Sequence, residues 1–357
     1  MDEKTKLGHG ADVVSMALKY GKNEHNIIDF SSNINPYIPK NIDKYILDSI
    51  RNCKNYPDVE YISLRKDIGN YLNINYEYII PGNGATEIIY LIMKALNGPL
   101  AIINPTFSEY ERSAKLNNIE IVDLYFDRNF KLDINSIKNK IDEFKALFIC
   151  NPNNPTGNID DITEVLDLMK KHNKLLIVDE TFMEFVHNQS KYTLLSFINE
   201  YKNLFIIKAI TKFFGLPGIR LGYGVTSNKE ILNTLWKFKE PWTVNTFAEN
   251  ICKYIFNDKD YIQMTRNYFK EEIDFMMNKL SKINNILVYN TQTDFILLKL
   301  LKHNSSYVKE KLFLENNILI RDASNFKGLD ESYIRIAIKD RKNNEIILDA
   351  LKKVLGE

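Results

Sequence analysis

Thr211-Lys212-Phe213-Phe214-Gly215-Leu216-Pro217-Gly218-Ile219-Arg220 is the stretch that decides how this chain is read. It follows a short apolar run at 204–207, so it leaves the end of a buried strand. A lone lysine on a loop is usually an ordinary solvated cation. Lys212 has two phenylalanines beside it and a second cation, Arg220, close by. Apolar surroundings and nearby positive charge both favour the neutral amine, the form that attacks a carbonyl. The two glycines, the proline and the arginine would build a rigid loop able to hold an anion. Lys212 is therefore a candidate nucleophile, with Thr211 and Arg220 as candidate anion ligands.

Three further motifs lie upstream, each where a helix starts or a strand ends. Ile177-Val178-Asp179-Glu180-Thr181-Phe182 is an apolar run closing on an acid. Asp179 either caps a following helix or presents a carboxylate to a ligand. Asn151-Pro152-Asn153-Asn154-Pro155-Thr156-Gly157 follows the run 146–150 and has the composition of a tight turn. An amide held there, that of Asn154, can donate to a phenolate oxygen. Pro81-Gly82-Asn83-Gly84-Ala85-Thr86-Glu87 opens an amphipathic stretch. Backbone amides at a glycine-rich helix start bind anions, which makes Gly84, Ala85 and Thr86 a candidate phosphate site. The spacing does not match a nucleotide or dinucleotide loop.

These motifs sit in a regular pattern. From about 81 to 225, apolar runs (100–103, 119–126, 146–150, 175–179, 204–207, 221–225) alternate with helical stretches that include 86–96, 108–116 and 162–172. Strands buried on both faces and joined by helices predict an α/β domain with a mostly parallel sheet. Ligands bind such sheets beyond the carboxyl ends of the strands, where most of the motifs fall. After Pro241 the alternation stops. One long helix is predicted over 246–281, then strands at 286–289, 295–300, 318–321 and 333–337, then a helix over 343–355. That order predicts a smaller α+β domain. The expected division is 1–40, packing on the small domain or across a dimer interface; 41–245, the large domain; and 246–357, the small domain.

Composition narrows the partners. Lysine plus arginine (47) nearly balance aspartate plus glutamate (46), giving a net charge of +1, so no nucleic-acid surface is expected. No run approaches the roughly 20 apolar residues of a membrane helix, and no membrane association is expected. The first ten residues are charged without an apolar run, which is unlike a secretory signal. The three cysteines, Cys53, Cys150 and Cys252, are far apart and not spaced as metal ligands. A reducing, cytoplasmic setting and no metal are expected.

Taken together and in this order, the four motifs resemble the fold-type-I pyridoxal-phosphate enzymes, the aspartate aminotransferase superfamily, over nearly the whole chain. The resemblance implies the aspartate aminotransferase-like fold and pyridoxal 5'-phosphate as cofactor. By position, Lys212 resembles the Schiff-base lysine, Asp179 the partner of the pyridine nitrogen, and Asn154 the ring-oxygen donor. Gly84, Ala85, Thr86, Thr211 and Arg220 resemble the phosphate cup. Phe107, in Pro105-Thr106-Phe107-Ser108-Glu109-Tyr110, resembles the aromatic stacked on the ring. Tyr56, in Asn55-Tyr56-Pro57-Asp58, resembles the tyrosine that reaches the neighbouring subunit's phosphate, which implies a homodimer with shared sites. Many relatives have tyrosine where this chain has Phe182, which leaves Asn154 as the ring-oxygen donor.

Within the superfamily the chain is similar to threonine-phosphate decarboxylases and histidinol-phosphate aminotransferases. Phe30-Ser31-Ser32-Asn33-Ile34-Asn35-Pro36 and Arg321-Asp322-Ala323-Ser324-Asn325-Phe326-Lys327-Gly328-Leu329, with Tyr333-Ile334-Arg335, favour the decarboxylase. A guanidinium binds carboxylate or phosphate through paired hydrogen bonds. Arg335 resembles the substrate-carboxylate ligand and Arg321 is placed for a substrate phosphate, with Asn33 and His9 closing the site. The expected substrate is a small phosphorylated amine. Phosphothreonine decarboxylation ranks first and histidinol-phosphate transamination second. A non-catalytic cofactor-binding regulatory module is a third reading, disfavoured because 1–40 leaves no room for a helix-turn-helix domain.

Overall fold

The computed structural model describes residues 10–356. Its strands are β1 (Ile28–Asp29), β2 (Ile79–Gly82), β3 (Leu100–Asn104), β4 (Ile121–Tyr125), β5 (Ala146–Cys150), β6 (Leu175–Asp179), β7 (Leu204–Ala209), β8 (Gly222–Val225), β9 (Ile286–Val288), β10 (Phe295–Leu300), β11 (Ile318–Leu319), β12 (Arg321–Asp322) and β13 (Tyr333–Ala337). Seven of them form one sheet in the order β2-β8-β7-β6-β5-β3-β4. Pairings from β7 through β4 are parallel, and β8 runs against both of its neighbours. β3, β5, β6 and β7 are buried at every residue but the first of β6, as expected of strands covered by helices on both faces.

The carboxyl ends of these strands lie together. Cys150 is the register partner of Asp179, and Asp179 of Ile207. The loops that leave β3, β5, β6 and β7 therefore start side by side, and they carry Phe107, Asn154, Thr181 and Lys212. This is the arrangement that places a ligand at the top of a parallel sheet.

A second, four-stranded antiparallel sheet has the order β12-β13-β10-β9. β1 pairs in parallel with β11, so Ile28 lies opposite Ile318 and Asp29 opposite Leu319. The Phe30 carbonyl also accepts from Ala337 N at 2.9 Å. Around this junction, Tyr20 packs its ring 5.4 Å from Phe313, and Lys22 donates to the Phe313 carbonyl at 2.7 Å.

Two elements depart from expectation. The single helix predicted over 246–281 is two, Thr246–Ile255 and Lys259–Leu280. The Asp258 side chain accepts from Tyr261 N at 2.9 Å and starts the second helix afresh. The single strand predicted over 318–321 is split between β11 and β12, which belong to different sheets. Among the described residues, no helix is long and apolar enough to cross a membrane.

Candidate active site

A cavity of about 330 Å³ opens between the carboxyl ends of the large sheet and the strand pair β12 and β13. Among its lining residues are Ala85, Thr86, Phe107, Asn154, Asp179, Thr211, Lys212, Arg220, Arg321, Arg335 and Asn33. The sequence reading picked all of these. Gly84 lies just behind the lining. Tyr56 is not in this cavity: it is 81% exposed, with its ring 4.8 Å from Trp242. His9 falls outside the described residues.

Lys212 projects into the cavity and is partly open to it. Burial lowers its amine from the ordinary lysine range to about 8. Arg335, Arg220 and Lys339 push in the same direction, and Asp294 pushes against them. The physical causes differ in part from those inferred from the sequence. Phe213 and Phe214 are fully buried in the core, against Phe185 and Tyr261, and do not line the cavity. The amine is desolvated by the site as a whole, and besides the expected Arg220 it is disfavoured as a cation by Arg335 on β13 and Lys339 just after it.

Asp179 is buried at the end of β6. Tyr110 donates to its Oδ2 at 2.7 Å, and Thr181 N donates to its Oδ1 at 2.9 Å. Burial raises the carboxyl above its ordinary value against the pull of these two hydrogen bonds. Tyr110 was not singled out from the sequence. The cue was its place on the first turn of Glu109–Leu116, facing back toward the sheet.

The loop after β5 is fastened to the loop after β3. Asn153 donates to the Pro105 carbonyl at 2.9 Å and accepts from Thr106 Oγ1 at 2.9 Å. That tie fixes Phe107 relative to Asn154. Asn154 Oδ1 in turn accepts from Arg335 Nη1, which orients the amide and leaves Nδ2 for another partner. Phe182, where a hydroxyl was noted as missing, packs edge-on to Phe295 at 5.0 Å and cannot donate.

The anion end is built from the start of the helix Gly84–Ala95. Gly84 has φ +77, and a Cβ there would lie 2.3 Å from Arg220 Nη2. From β8, Gly222 lies so close to this turn that a Cβ would meet Ala85 N at 2.2 Å. Arg220 donates to the Asn83 and Pro217 carbonyls at 3.4 Å, weak contacts that leave it able to take a stronger acceptor.

The opposite wall carries the other two guanidiniums. Arg321 and Arg335 are register partners across β12 and β13, so their side chains emerge beside each other on one face. Arg335 is buried and donates from Nη2 to the Ser31 carbonyl at 2.8 Å, while its Nε has no partner. Asn33 Oδ1 and Thr181 Oγ1 are likewise buried without a hydrogen bond. Buried polar atoms are normally paired. Three such atoms belong to residues that line this one cavity.

These residues fit pyridoxal 5'-phosphate. An amine of lowered pKa, a buried carboxylate, an amide donor, an aromatic face and an anion cup surround one space of suitable size. Among the described residues no group of three or more His, Cys, Asp or Glu is placed to hold a metal ion.

Comparison with known proteins agrees. The chain is 42% identical to a protein of Caldanaerobacter subterraneus subsp. tengcongensis that carries the provisional name threonine-phosphate decarboxylase, covering 91% of this chain and 90% of the relative. A histidinol-phosphate aminotransferase structure from Clostridium acetobutylicum superposes with a TM-score of 0.88 at 40% identity, covering 92% of this chain and 99% of that one. An L-threonine-O-3-phosphate decarboxylase structure from Porphyromonas gingivalis superposes with a TM-score of 0.83 at 27% identity, covering 93% and 100%. The sequence profile described as aminotransferase class I and II matches residues 25–351, and the chain belongs to that family of pyridoxal 5'-phosphate enzymes.

Proposed function

We propose that this enzyme decarboxylates a short phosphorylated amino acid, with L-threonine O-3-phosphate as the substrate that best suits its site. The observation that carries this reading is the pairing of Arg321 with Arg335 across adjacent strands. Two guanidiniums side by side suit a substrate whose carboxylate and phosphate are only a few bonds apart. The similarity to proteins named for this activity supports the same reading.

Pyridoxal 5'-phosphate, when bound, supplies an aldehyde for the amine and a ring that draws electrons from a bond at Cα. In this reading Lys212 holds the cofactor and afterwards moves a proton at Cα. Asp179, braced by Tyr110, holds a proton on the ring nitrogen. Asn154 donates to the ring oxygen, Phe107 covers one face, and Gly84, Ala85, Thr86, Thr211 and Arg220 bind the phosphate. Arg335 fixes the substrate carboxylate and Arg321 its phosphate, with Asn33 closing over them. His9 is kept as a further closing residue.

The likeness to the Clostridium acetobutylicum structure favours a second reading, transamination of histidinol phosphate. The enzyme is incubated with phosphothreonine alone, and separately with histidinol phosphate and 2-oxoglutarate. Release of CO₂ without an oxo-acid supports the decarboxylase. Glutamate formation in the second mixture, with no CO₂ in the first, overturns it.

The chain is read as a large domain (41–245), a small domain (246–357) and an N-terminal segment (1–40). A homodimer is proposed, supported by the exposure of Tyr56, Val59, Ile62 and Trp242. Tyr56 would then serve the partner's phosphate site. The free cysteines suit a cytoplasmic setting.

A further inference from the structure

Asp294 is a buried carboxylate that the chemistry above does not use. It precedes β10 and is fully buried, and both its side-chain oxygens are buried without a hydrogen-bond partner. Its carbonyl accepts from Ile338 N at 2.7 Å. The next residue, Phe295, pairs with Ala337, and its ring lies 5.2 Å from the Arg335 guanidinium. Asp294 thus sits at the end of the strand pair that carries Arg335, beside the turn to Lys339, and the charges of Lys212, Lys339 and Arg335 all act on it. Lys339 itself donates to the Ser32 carbonyl at 3.2 Å. The other charged groups that bear on this cluster are Asp29, which acts on Arg335 and Lys339, Asp340, which acts on Lys339, Arg220, which acts on Lys212, and Arg321, which acts on Arg335.

An isolated ionised carboxylate is costly to bury. Here Lys212, Lys339 and Arg335 offset part of that cost by their charge, without a hydrogen bond to it. Burial still pushes its pKa up to about 6, against the pull of Lys212, Lys339 and Arg335. The balance is close, so one more negative charge in the cluster tips it.

We propose that Asp294 takes up a proton from solvent when a ligand carboxylate binds Arg335, and gives it back when that carboxylate departs. The step forms one O–H bond on the carboxylate and involves no redox change. It offsets part of the negative charge that the carboxylate brings, and it lets a product that has lost its carboxylate leave a site restored to its starting state. The inference rests on the reading of Arg335 as the carboxylate ligand.

The test is calorimetry of the cofactor-loaded enzyme between pH 6 and 8, in buffers of different ionisation enthalpy, which counts protons taken up on binding. The probes are 3-phosphonopropionate, which carries a carboxylate, and propylphosphonate, which does not. Neither has an amine, and the phosphonate ionisation of each, titrated free in solution, is subtracted from its proton count. The carboxylate probe is expected to draw about half a proton more per site at its maximum. Asp294→Asn, which keeps the shape of the side chain, and Asp294→Ser should abolish that difference while still binding the probe. A difference that persists in both variants, or is absent from the wild type although the carboxylate probe binds more tightly, overturns the proposal. If 3-phosphonopropionate binds no more tightly than propylphosphonate, the reading of Arg335 fails and the inference falls with it. A purely packing role for Asp294 would change thermal stability but leave the proton count unmoved.

Discussion

Lys212 illustrates how a single side chain is tuned by distant parts of the chain. Its amine is brought to about 8 mainly by burial, with help from Arg335, Arg220 and Lys339. The neutral amine grows with pH through that value, and only the neutral form attacks an aldehyde. Recombination of cofactor-free protein with pyridoxal 5'-phosphate should therefore accelerate between pH 7 and 9, followed by absorbance. A flat profile would contradict the assignment. Lys212→Ala should lack both the visible absorbance of the holoenzyme and its turnover. Tyr110→Phe removes one hydrogen bond from Asp179. A bond to a charged group contributes about 1.5–3 kcal/mol, so kcat should fall roughly 10- to 100-fold while thermal stability changes little. Equal activity in Tyr110→Phe would show that Thr181 N alone suffices. The candidate residues themselves were legible, because lysine, aspartate, asparagine and arginine stand at the ends of apolar runs. Tyr110 and Asp294 were not. Their importance comes from what lies across from them in space: Tyr110 ends the stretch quoted for Phe107 without a role of its own, and Asp294 stands in no motif.

At the scale of elements, the anion cup depends on how closely β8 packs against the start of Gly84–Ala95. A methyl at Gly222 would overlap Ala85 N, and the backbone there cannot yield without moving the amides proposed to hold the cofactor phosphate. Gly222→Ala should weaken cofactor binding at least 10-fold, measured by equilibrium dialysis. Unchanged affinity would mean that the turn is more pliable than its contacts indicate. Strand positions in the large sheet were readable because the parallel strands are buried on both faces and show as continuous apolar runs. β5, β6, β10 and β13 match their expected spans residue for residue. The helices Val13–Tyr20, Ile42–Ile50, Ile62–Leu72 and Ser305–Asn316 were not anticipated. Their partners are distant in sequence: Tyr45, for example, stacks on Tyr254 at 3.9 Å. The break at Asp258 was missed because the apolar spacing continues across it, and the cap is visible only as a hydrogen bond.

Across the whole molecule, a buried ionic network joins the large sheet to the helix Lys259–Leu280. Lys208 on β7 pairs with Glu180 at 3.1 Å and Glu184 at 3.4 Å, and Arg266 pairs with Glu184 at 2.6 Å. Tyr71 also donates to Glu184 at 2.8 Å. Burial alone would raise the Glu184 carboxyl, but Lys208, Arg266 and the Tyr71 hydroxyl hold it below its ordinary value. The unfolded chain then takes a proton more readily than the folded one. Stability from this group is complete above the unfolded carboxylate range and is lost as pH falls through the lower folded value. Glu184→Gln leaves Lys208 and Arg266 short of a counter-charge and should cost about 3–5 kcal/mol, with a shallower loss of stability in acid, read by denaturant titration at several pH values. An unaltered acid profile would place the sensitivity elsewhere. The pairing of β1 with β11 has a consequence of another kind. During synthesis, Ile28 and Asp29 leave the ribosome long before Ile318 and Leu319 exist to receive them. This strand must wait, unsatisfied along its edge, until about 290 further residues have been made. Residues 28–29 are therefore open to proteases and to wrong strand partners until residues 318–319 have been made.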